Sequence, residues 1–160
     1  MRRVVLAHDG GGRSVIASDT DIALQPVPGI GLLATLWAAD DAPAYPGDGR
    51  DPEAPGIFPP VGGVRMVVAD FLPGQRIEAA EGGDAAIDWA DDGMHHTDST
   101  DFNVVLDGEI VLSAPGGQEV LLTKGDVVVI AGADHAWRND SDRPARIAFF
   151  LVGGHRKGQD

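Results

Sequence analysis

The feature that most constrains this chain is residues 94–139, where short β-type runs alternate with glycine-centred turns. The runs are Phe102–Leu106, Ile110–Ser113, Val120–Leu122, Val127–Ile130 and Ala136–Arg138. Asp107-Gly108, Pro115-Gly116-Gly117, Lys124-Gly125-Asp126 and Gly132 separate them. An Asp-Gly pair between β-type runs is a strong hairpin signal, because glycine accepts the positive φ a tight turn needs. With Val64–Phe71 before this stretch and Ile147–Val152 after it, strands recur at roughly 8–12 residue intervals, which predicts an antiparallel sandwich or barrel. The expected fold class is all-β, with at most one or two helical turns.

The first 62 residues carry weaker signals. Val4–Leu6 and Ser14–Ser18 are short β-type runs around a glycine-rich turn, and Gly31–Ala38 reads equally as a strand or a short helix. Residues 39–63 are rich in proline and lack periodicity, the composition of a long surface loop. Residues 77–93 are acidic and alanine-rich, so a loop or one weak helical turn is expected there. One domain of 160 residues follows, with a core barrel at about 63–152 and an N-terminal extension of strands and loops.

Composition excludes several function classes. The chain has 25 acidic against 12 basic residues, a net charge of −13, so neither nucleic acid nor an anionic membrane surface is an expected partner. No apolar run approaches the ~20 residues of a membrane-spanning helix. The first residues contain only a short apolar run, so no signal peptide is expected and a cytoplasmic location is the default. With no cysteine, thiolate ligands, thiol nucleophiles and disulfides are all unavailable.

Chemistry therefore falls to histidine and carboxylate. Three of the five histidines, His95, His96 and His135, lie at the two ends of the β-rich stretch. Between Arg76 and Lys124 there are eleven Asp or Glu residues and no Lys or Arg, a charge pattern that should raise histidine pKa values. His and Asp clusters on neighbouring strands suit a metal site in a small barrel. His8 reads as an ordinary turn histidine.

These residues resemble the cupin superfamily, whose fold is a small antiparallel jelly-roll barrel. The family's first motif has two histidines one residue apart, three or four residues, a glutamate, six residues and a glycine. Counting back from Gly108, Asp101 stands at the glutamate, Thr97 at the second histidine and His95 at the first. The second motif matches at Gly125, Gly132, His135 and Asn139, with Ala131 where the family has proline. The similarity spans about residues 63–152 and is closest to single-domain bacterial and fungal cupins that often accompany the tailoring of aromatic or polyketide-like products.

The resemblance implies a mononuclear divalent metal, Fe, Mn, Ni, Co or Zn, held by His95, Asp101 and His135. Strand alternation puts His95, Thr97 and Asp101 on one face and His96 on the other. A one-residue bulge would instead turn His96 inward as a further ligand. The same His and carboxylate set can serve as general acid and base without any metal. The implied function is an enzyme performing oxygenation, decarboxylation, isomerisation or lyase chemistry on a small organic substrate; the alternative is a metal-free binding or sensing protein. Trp137, Phe102, Met66 and Thr97 are the candidate pocket residues, with Phe149 and Phe150 beside them. Asn139 is expected to tie down the turn after His135, and Arg138 to face solvent. A homodimer formed through the N-terminal strands is the expected assembly.

Overall fold

The structure is a computed structural model, described over residues 1–42, 44–50, 56–80, 86–90 and 93–157. Every regular element among them is a strand. In chain order these are β1 (Arg2–His8), β2 (Ser14–Asp21), β3 (Gln25–Val27), β4 (Gly31–Ala39) and β5 (Val64–Phe71). There follow β6 (Asp88–Trp89), β7 (His95–His96), β8 (Ser99–Asp107), β9 (Glu109–Ala114) and β10 (Gln118–Thr123). The chain closes with β11 (Val127–Ala131), β12 (Ala136–Arg138) and β13 (Ala145–Gly153). The all-β expectation holds.

A six-stranded sheet, β11-β8-β13-β5-β4-β3, faces a three-stranded sheet, β10-β9-β12, and every pairing is antiparallel. The core forms between them. Ala69, Phe71, Val105, Ala145 and Ile147 of the large sheet pack on Ile110, Leu122 and Trp137 of the small one. These are alternate residues along each strand, so the period-two pattern read from the sequence is what fills the interior. Burying such a set removes enough apolar surface to dominate folding, at about 25 cal/mol per Å².

The sheet begins earlier than residue 63. Gly31–Ala39 is a full strand paired with β5, and β3 adds another at the edge. Its low β-branched content left it ambiguous in sequence; burial of Leu33, Ala34 and Leu36 on its two faces decides the matter. Residues 88–89, inside the stretch expected to be loop, pair with 95–96 as a minimal hairpin.

Two polar details fix the geometry around the site. Gly108 has φ of 76°, and a Cβ there would lie 2.6 Å from the Pro144 carbonyl oxygen, so only glycine fits the β8–β9 turn. Asn139 is fully buried after β12. Its Nδ2 donates to the carbonyls of Phe71 (2.9 Å) and Arg143 (2.8 Å), while Oδ1 accepts from the backbone N–H (3.0 Å) and hydroxyl (2.7 Å) of Ser141. Asn139→Ala is expected to destabilise the fold by about 2–4 kcal/mol, since it strands several buried partners at once. Urea denaturation checks this; a change below about 0.5 kcal/mol would mean the network is dispensable.

A histidine pair at an apolar cavity

His95 and His135, forty residues apart, are brought together by a β-bridge. The amide of each donates to the carbonyl of the other, both at 2.9 Å. Directly opposed residues of an antiparallel pair project their side chains to the same side. Their rings accordingly lie with centroids 4.4 Å apart. Trp89, paired with His95 across the β6–β7 hairpin, stacks on the other side at 4.6 Å. Trp137 meets His135 edge-on at 6.1 Å. The imidazole pair is thus held between two indoles.

Each ring is anchored through Nδ1. That of His135 lies 2.8 Å from the Ala133 carbonyl, and that of His95 lies 3.3 Å from the Gly93 carbonyl. A carbonyl only accepts, so Nδ1 carries the proton in both rings and Nε2 carries the lone pair. The sequence led us to expect raised histidine pKa values; the structure reverses the sign. Burial pushes His95 down to about 4, helped by the neighbouring His135, and burial likewise lowers His135. Among the described acidic residues Glu78, Asp88, Asp98, Asp107 and Glu119 are exposed whereas the two imidazoles are buried, so desolvation outweighs the distant negative charge. Both rings are neutral near pH 7.

The rings open on an apolar cavity of about 60 Å³, whose other walls include Leu33, Val67, Phe71, Phe149 and Leu151. That volume admits the reacting end of a molecule rather than a large body. Thr97 and Asp101 line the same cavity. Asp101 is buried, and burial raises its pKa against the hydrogen bond from Ser99. Ser99 Oγ donates to Asp101 Oδ1 at 2.6 Å; having used its hydrogen, it accepts from Thr97 Oγ1 at 2.8 Å. Ser99 and Asp101 share a face by alternation along β8, and Thr97, in the short connection before it, completes the relay.

The candidates from sequence divide cleanly. His95, Thr97, Asp101, His135 and Trp137 share the cavity. His96 does not join them. No register shift interrupts the β6–β7 pairing, so alternation turns it to the opposite face, where Nδ1 lies 2.8 Å from Asp134 Oδ1 and Nε2 lies 3.6 Å from Asp88. Phe102 and Met66 are corrected as pocket residues. They sit in one row across the outer face of the large sheet, Val129–Phe102–Phe150–Met66–Trp37, and Phe102 is 45% exposed. The sheet is apolar on both faces, so hydrophobicity alone did not distinguish inside from outside. Arg138 points away from the cavity and pairs with Glu119 and Asp140.

Sequence reasoning missed Trp89 and Ser99. Ser99 was legible as the odd-numbered position between Thr97 and Asp101. Trp89 was not, because only the hairpin pairing places it beside His95.

Two facing antiparallel sheets with this strand pairing define the jelly-roll class of β-barrel. The comparisons agree: residues 88–152 match the Cupin_2 family, described as a cupin domain. A phomopsin biosynthesis cluster protein of Diaporthe leptostromiformis, protein D, is 34% identical over 149 residues, covering 87% of this chain and 70% of that protein. This chain belongs to the cupin family. A cupin-domain-containing oxidoreductase of Aspergillus ruber is 26% identical, covering 94% of this chain and 71% of that protein. The Cnp3 cupin domain of Schizosaccharomyces pombe superposes with a TM-score of 0.55 at 9% identity, covering 95% of this chain and 87% of that one, a likeness of fold alone.

Proposed function

We propose that this chain is an enzyme acting on a small, mainly apolar organic molecule at His95 and His135, with a divalent ion as cofactor. The observation that carries the reading is the imidazole pair itself, held neutral and anchored through Nδ1, with both rings lining an apolar cavity. Carbonyl-anchored imidazoles of this kind are the usual form of metal-ligating histidine, and neutrality removes the proton competition that opposes a cation. Among the described residues no three His, Asp or Glu side chains gather closely enough to enclose one ion. His95 and His135 are therefore the protein ligands in this reading, and Asp101, expected as a third, acts beside them.

When bound, such an ion, Fe, Mn, Ni, Co or Zn, polarises a carbonyl or enolate oxygen. The rest is the work of the chain's own groups. The apolar walls bind the substrate body and exclude water. Asp101, its Oδ1 occupied by Ser99, holds a proton more readily than an exposed carboxyl and offers Oδ2 as an acid to a substrate oxygen. The names of the relatives, one a biosynthesis cluster protein and one an oxidoreductase, support an enzyme of product tailoring. A cytoplasmic setting belongs to the same reading. Because only two imidazoles converge, a metal-free binding protein is the second reading. Elemental analysis of protein purified without chelator separates the two: about one metal per chain supports the first, and a metal-free protein that still binds small molecules supports the second.

We also propose that the protein works as a homodimer. The β1–β2 hairpin is a sheet of its own, and its paired residues Leu6 and Ile16 are 71% and 67% exposed. A two-stranded ribbon with an uncovered apolar face is marginal in water, and the same ribbon of a second copy would cover it. Light scattering should give twice the chain mass; a monomer at working concentration would refute it, and Leu6→Lys with Ile16→Lys should yield monomers.

A further inference from the structure

The proline-rich segment before β5 reaches the site. Ile57 and Phe58, towards its end, line the histidine cavity. Their backbone is pinned on both sides. Arg65, 2% exposed, donates from Nε to the Gly56 carbonyl at 3.1 Å and from its other nitrogens to the Ala39 carbonyl and Asp40. On the far side Pro60 crosses Gly153 of β13. A Cβ at Gly153 would lie 1.8 Å from the Pro60 carbonyl oxygen, so only glycine permits the crossing.

Phe58 also lines a surface cleft of about 350 Å³, beside Pro59, Pro60 and Val61. Four other side chains, Ile77, Ile87, Thr97 and Trp137, likewise stand between the cavity and an outer cleft. All four are buried, whereas Phe58 is only half-buried. Of these five its ring is the least enclosed part of the wall. Asp98, in the same cleft, is paired with Arg156 at 2.9 Å, so its charge is already met.

We propose, on the reading of the cavity as a small-molecule site, that Phe58 is its entrance and its size-determining residue. An uncharged, mainly apolar molecule seats its body in the cleft and passes its reacting end inward beside the ring. The volumes fit this division: the cleft holds about 350 Å³ and the cavity about 60 Å³, so only a narrow end reaches the imidazoles. With Gly56 and Pro60 fixed, the ring opens by changing side-chain rotamer while the backbone stays in place. A charged group would have to shed its water against these apolar walls, which disfavours it.

The test measures access directly. Diethyl pyrocarbonate, which acylates neutral imidazole, is applied to the full chain at pH 7 with a chelator present. Mass spectrometry reads the rates at His95 and His135, with His96, outside the cavity, as internal standard. In the parent these rates scale with the open fraction, about 0.1–10% for a minor state. Phe58→Ala should therefore react about ten-fold faster or more, and Phe58→Trp slower than the parent. Ile87→Ala, which truncates a buried part of the wall, should gain less than Phe58→Ala. Unchanged His96 rates and similar melting temperatures distinguish an opened entrance from unfolding. Equal rates in Phe58→Ala and the parent, or a larger gain in Ile87→Ala, overturn the proposal. If Phe58→Ala does not fold, Phe58→Trp decides: a rate at or above that of the parent overturns it. Benzene titration, followed by the indole N–H resonance of Trp137, tests the small-molecule reading separately. Expected rates with no benzene binding in any variant remove that reading and leave Phe58 as the entrance. Binding with rates that do not respond to Phe58 keeps the site and overturns the entrance.

Discussion

If His95 and His135 hold a metal as proposed, His135→Ala is expected to lose most of that metal and the activity that depends on it, while the barrel stays folded. In that reading His95 and His135 are the protein ligands, so the substitution removes half of the donor set. Loss of groups that merely support a ligand costs about 10–100-fold in affinity, and loss of a ligand costs more. The fold survives because its core lies elsewhere: Phe71, Ile110 and Ile147 are at most 1% exposed and do not depend on the imidazole. A modest fall in stability is expected from the packing His135 makes with His95 and Trp137. His96→Ala is the control. Its ring faces Asp134 and Asp88 on the opposite side, so metal content and activity should match the parent. Metal analysis and thermal melting of the three proteins decide the question. Equal metal in all of them, or none in any, would sink the metal reading.

The metal-free protein becomes less stable as pH falls from about 6.5 toward about 4, and His95 is the main cause. In the folded state His95 gains its proton only near pH 4, whereas in the unfolded chain it does so near 6.5. Between those values the unfolded state binds more protons, so acidification favours unfolding. The stabilising contribution is thus fully present above about pH 6.5 and is lost progressively below it, to a total of about 3 kcal/mol. His135, also lowered by burial, acts in the same direction. Asp101 acts in the opposite one, since its raised pKa makes the folded state the better proton acceptor at low pH. His95→Gln, which cannot titrate, isolates the effect. Urea denaturation in the presence of a chelator, from pH 7.5 to 4.5, should show a clearly shallower pH dependence for the variant. Parallel curves for the two proteins would show that His95 is not the group responsible.

What the sequence determined by itself was local. Asp107-Gly108 and the later glycine turns punctuate runs whose period-two pattern admits only strands, and the class of fold followed from that. Alternation also sorted His95, Thr97 and Asp101 from His96, because neighbours along a strand must point to opposite sides. The same rule reaches Ser99 as well. The tertiary structure alone decided what depends on pairing and burial. The contact between His95 and His135 exists because two distant segments share a bridge, and Trp89 joins them through a hairpin too short to read. Phe102 and Met66 belong to an apolar outer face that resembles an inner one until the second sheet is placed. The pKa shifts of His95 and His135 run opposite to the expected direction for the same reason. A sequence counts charges, but the cost of desolvating an imidazole is set by what packs around it.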